Sequence, residues 1–90
     1  MKLTRAVAQA MQDDAKTRGA WLMWFVTEAD AQHLGKVVAR AYEASHHGGQ
    51  CQPGALVADT LDELRAMLPT GLTRRNAIVG APVGELETWD

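Results

Sequence analysis

A chain of 90 residues, 47% hydrophobic and 22% charged, has room for one domain and the make-up of an ordinary globular protein, which excludes a disordered chain and a disulfide-knotted mini-protein. Its net charge of −2 offers no basic excess of the kind that neutralises nucleic-acid phosphates. The single Cys51 cannot form an internal disulfide.

Charge is unevenly spread. Lys2, Arg5, Lys16 and Arg18 outweigh Asp13 and Asp14 in residues 1–20, whereas residues 85–90 carry Glu85, Glu87 and Asp90. The longest apolar run, residues 20–26, falls far short of the roughly twenty residues a membrane span needs. Charges within the first five residues and no apolar run behind them do not read as a signal peptide, so a cytoplasmic location is expected.

Residues 3–18 are predicted to form a helix. Leu3, Val7, Ala10 and Met11 make a thin apolar stripe beside Ala6, Thr4 suits the N-cap, and Gly19 suits the C-terminal end. So little apolar bulk predicts a loosely docked helix or a contact surface. Residues 21–26 read as a strand buried on both faces, Trp21, Met23 and Phe25 on one, Leu22, Trp24 and Val26 on the other. Residues 28–34 form a polar hairpin loop ending at Gly35. Residues 36–42 give a second strand with Val37, Ala39 and Ala41 on the core side.

Residues 44–54 read as a polar loop and 55–58 as a short third strand. The next helix is clearly signalled. Thr60 followed by Glu63 is a capping box, Asp62 and Glu63 sit at the positive end of the dipole, and Leu61, Leu64 and Leu68 form the core stripe with Met67 beside it. Pro69 and Gly71 end the helix. Residues 72–84 look irregular, with a short extended piece at Ile78 and Val79, and 85–89 alternate as a last strand. The expected fold is α+β: one domain over 1–90, with an N-terminal helix over 1–19. Over 20–90, a small antiparallel sheet of three to four strands carries one packed helix. The N-terminal helix either covers part of the other face or stays free.

Reactive side chains gather around Ser45, His46, His47 and Cys51, with His33 far away. Imidazole and thiolate are zinc ligands, but adjacent histidines in a loop are a poor chelate and no second ligand pair is present. No base or orienting acid is spaced around Ser45 or Cys51. Gly48 and Gly49 lack the Lys and Ser/Thr of a phosphate loop. No catalytic residue, metal or cofactor is therefore expected. Trp21 and Trp24 are expected in the core. The candidate interface residues are Arg74, Arg75 and Trp89, since Trp and Arg dominate binding hot spots.

The strings GKVVAR at 35–40, LVADTLDELRAMLP at 56–69, GLTR at 71–74 and ETW at 87–89 resemble small uncharacterised bacterial and prophage-borne proteins, to which the N-terminal helix looks like an addition. The strand-strand-strand-helix order is similar to that of HicB-type antitoxins, although their Pro-to-Gly-Cys segment before the helix is missing. Small size and acidic balance resemble anti-CRISPR inhibitors as a class. The uncharacterised proteins imply no function. The missing catalytic set, ligand cluster and phosphate loop, with the class likeness to anti-CRISPR inhibitors, lead to the expectation of a non-catalytic protein-binding module, most concretely an inhibitor of a bacterial defence complex. The alternatives are an antitoxin-like regulator and a small metal-dependent enzyme. A protein partner is expected. A homodimer is compatible with so small a core, nucleic acid is disfavoured, and no membrane is involved.

Overall fold

The computed structural model describes residues 2–28, 35–45, 48–75 and 85–90, with the side chains of Ser45, Glu85 and Leu86 left out. The elements run α1 (Arg5–Thr17), β1 (Trp21–Glu28), β2 (Val37–Ser45), β3 (Gly48–Cys51), β4 (Leu56–Ala58), α2 (Leu61–Met67), β5 (Arg74–Arg75) and β6 (Glu85–Trp89). The fold is α+β, and the six strands among the described residues pair antiparallel in one sheet of order β3-β2-β1-β6-β5, with β4 also on β2. The sheet is thus larger than the three to four strands expected. The additions are β3, inside the expected polar loop, and β5, in a stretch expected to be irregular. The expected hairpin loop at 28–34 and the piece at Ile78 and Val79 lie outside the described residues, apart from Glu28 in β1.

β1 lines β2 along one edge, so β3 and β4 share the other, beside residues 42–45 and 37–39 respectively. Directly opposed residues of an antiparallel pair share a face. Leu22, Trp24 and Val26 therefore stand with Ala39, Ala41, Leu56 and Ala58, and all seven are buried. Ala8 and Ala15 of α1, Leu64 of α2 and Leu68 just after it complete this core. Both helices thus lie on one face of the sheet, and α1 neither covers the other face nor stays free.

Each helix starts on a threonine. Thr4 Oγ1 accepts from Val7 N and Thr60 Oγ1 from Glu63 N, both at 3.2 Å, so each satisfies an otherwise orphan first-turn donor. Gly19 follows the C-cap of α1 with φ +72°, a conformation open to glycine at little cost. The expected apolar stripe of α1 is corrected. Val7 and Ala10 face solvent, and Ala8 and Ala15 face the sheet, because small side chains let the helix sit close. Polar contacts hold α1 as well. Trp24 Nε1 donates to Gln12 Oε1 at 3.0 Å, and Thr70 N donates to Gln9 Oε1 at 2.9 Å. Among the described residues no helix is long and apolar enough to cross a membrane.

Candidate functional site

The expected burial of both faces of β1 is the main correction. Trp21, Met23 and Phe25 point away from the helices; Trp21 is 55% exposed and the other two are half-buried. On β2 they stand beside Ala44, Tyr42 and Arg40, in that order. The Phe25 and Tyr42 rings meet edge to face, with centroids 6.2 Å apart. Tyr42 then leans over Gly49 of β3. A Cβ at Gly49 would overlap the Tyr42 hydroxyl and ring edge, so the ring occupies space that only glycine leaves open. Farther along, Val38, Val57 and Ala55 form a small buried cluster. The accessible part is therefore the end holding Trp21, Met23, Phe25 and Tyr42. Sequence reading placed Trp21 in the core, because a continuous apolar strand is usually covered on both sides.

The three residues expected at an interface lie on neighbouring strands. Arg74 pairs with Trp89 and Arg75 with Thr88 along β5 and β6. Arg75, opposite Thr88 and so in line with Phe25, falls on the other face of the sheet. Arg74 and Trp89 meet around Glu87, which sequence reading did not single out. Its carboxylate is 6% exposed and accepts four hydrogen bonds. Arg65 Nε lies 3.1 Å from Oε1 and Arg65 Nη2 bonds Oε2. Trp89 Nε1 reaches Oε1 at 3.0 Å and Arg74 Nη1 reaches Oε2 at 3.3 Å. The Arg65 hydrogen bonds, with those from Trp89 and Arg74, overcome the cost of burial and hold the Glu87 carboxyl down to about 2. Arg75 Nε is 2.7 Å from the Asp90 carboxylate. So Arg74 and Arg75, although more than half exposed, are already ion-paired, and Trp89 packs partly buried against the core. The cluster pins α2 and β5 to β6. No local sequence pattern joins Glu87 to Arg65, because the contact spans 22 positions.

Of the loop expected to hold reactive side chains, Cys51 lies exposed on β3, whereas His33, His46 and His47 lie outside the described residues. Ser45 ends β2. No group of three or more His, Cys, Asp or Glu able to hold a metal occurs among the described residues. A cleft of about 480 Å³ between α1 and Asp90 is lined in part by Gln9, Gln12, Lys16 and Thr70. Its two glutamines already hold Thr70 and Trp24 in place. The chemistry on offer is thus an aromatic surface on one side of the sheet and a closed ion-pair cluster on the other. Compared with protein-family models, curated proteins and solved structures, the chain matches none.

Proposed function

We propose that the chain is a non-catalytic protein-binding module that docks through the open aromatic end of its sheet. The observation that carries this reading is Trp21, 55% exposed beside the half-buried Met23, Phe25 and Tyr42. A contiguous aromatic surface on a small domain marks an interaction site, and tryptophan and tyrosine are the side chains that most often anchor one. This moves the anchor from Arg74, Arg75 and Trp89, whose polar groups are already engaged, to Trp21 and Tyr42. In its most concrete form the module is a small inhibitor that occupies a working surface of a bacterial defence complex.

The test is co-purification with the full chain from its native host, parent against Trp21→Ser. A partner retained by the parent and lost by a variant of unchanged melting supports the reading. A turnover abolished by Cys51→Ala, or a partner held equally by both chains, overturns it.

A further inference from the structure

We infer that β3 is an acceptor edge, onto which an extended segment of the partner protein adds as a further strand. The inference rests on the binding-module reading and names how the partner enters. All four residues of β3 are exposed. Gln52 N donates to Ala41 O at 2.9 Å, which makes Ala41 and Gln52 a hydrogen-bonded pair. Such pairs alternate along an antiparallel ladder with pairs whose backbone groups point outward. Gly49 opposite Ala44 and Cys51 opposite Tyr42 are the outward ones, so their N–H and C=O groups face away from β2. Exposed edges are normally defended by lysine, proline or a bulge. The Gly48–Cys51 strand has no charged residue and no proline.

The same edge already accepts a backbone contact at Ala55. Lys2 pairs in parallel with Ala55, next to β4, and Leu3 N donates to Ala55 O at 2.8 Å. The chain's own N-terminal stretch thus meets this edge at Ala55, and an incoming segment makes the same kind of contact along β3. Strand addition draws affinity from main-chain hydrogen bonds and specificity from alternate side chains. A residue set opposite Gly49 turns its side chain to the open face. No β3 side chain separates it there from Tyr42, with Phe25 behind. The segment that fits is extended, with apolar side chains at every second position.

The probe is a random linear-peptide library displayed on phage and selected against the full chain. The expected result is peptides of period-two apolar pattern. Methylation of alternate peptide nitrogens, or Cys51→Pro in the protein, weakens their binding by roughly tenfold or more, as the loss of one or two backbone hydrogen bonds dictates. Cys51→Pro removes an exposed thiol and an outward-facing N–H but no ladder bond to β2, so it should melt like the parent. The methylation series gives the same answer without altering the protein. Failure to enrich any peptide overturns the inference. Peptides that tolerate N-methylation and Cys51→Pro but are lost with Trp21→Ser overturn the edge and leave the binding module standing. A dimer that Cys51→Pro dissolves in sedimentation shows the edge filled by a second copy, and also overturns the inference.

Discussion

Replacing Glu87 by Gln keeps the shape of the side chain and removes its charge. One of the two oxygens that accept from Arg65, Arg74 and Trp89 becomes an NH₂ group turned toward a donor. Charge-assisted hydrogen bonds are worth about 1.5–3 kcal/mol each when fully desolvated. The Arg65 and Arg74 side chains are 34% and 56% exposed and recover water, so the expected loss is about 2 kcal/mol. The fall of the carboxyl from 4.5 to about 2 sets an upper bound of about 3 kcal/mol on the same quantity. In a domain of this size that corresponds to roughly 10 °C in melting temperature. Because the folded pKa lies below the unfolded one, the contribution is fully present above about 4.5. It drains away as pH falls toward 2, where the parent's own carboxyl is protonated. Thermal unfolding of parent and Glu87→Gln at steps between pH 7 and pH 2 should show a gap that closes over that window. Equal stabilities at pH 7, or a gap undiminished at pH 2, would refute the claim that the ionised carboxylate ties α2 and β5 to β6.

Thr60→Ala should cost about 1 kcal/mol through loss of the α2 cap, read as a lower urea midpoint, and Thr60→Ser should restore most of it. Trp24→Ala, at a fully buried site, should cost roughly 3–5 kcal/mol, enough to unfold much of so small a domain. Trp21→Ala, three residues earlier on the other face, should shift stability by less than about 0.5 kcal/mol, as surface changes do; equal losses at the two sites would mean the strand faces are assigned wrongly. Gly49→Ala should destabilise by about 1–2 kcal/mol, because the Tyr42 ring must leave its place and its contact with Phe25. The same change in a Tyr42→Ala background should be nearly neutral, and a full penalty there would exclude the ring as the cause.

The parts legible in the sequence are those governed by neighbours along the chain. Thr4, Thr60 and Gly19 cap helices through bonds three or four positions long, and alternation at Val37, Ala39 and Ala41 writes the core face of β2 directly. β3 was not legible because Gly48, Gly49, Gln50 and Cys51 carry no apolar pattern; their pairing partner on β2 makes them a strand. The exposure of Trp21 was hidden for a different reason. A run of apolar residues does not say which of its faces is covered along its whole length, and among the described residues both helices pack on the face of Leu22, Trp24 and Val26. Alanines misled for α1, where close approach rather than side-chain bulk decides what is buried. Arg74, Arg75 and Trp89 stand out in the sequence by residue type alone, which carries no sign of the arginines' ion-pair partners. The carboxylates that neutralise the arginines come from pairing β5 with β6, which no local window contains.

The central strand is completed from opposite ends of the chain. β1 finds β2 across a short connection, but its other edge waits for β6, with Trp24 pairing Trp89, 65 residues later. Closing a loop of that length costs conformational entropy before any contact rewards it. During synthesis, then, α1 and the β1–β2 hairpin can assemble while one side of β1 is still a bare edge. Trp24 reaches full burial only after residues 85–89 have been made. The growing chain passes through a stage in which its most apolar strand is half-paired, and that stage, more than the finished fold, is where aggregation or a chaperone would compete for it.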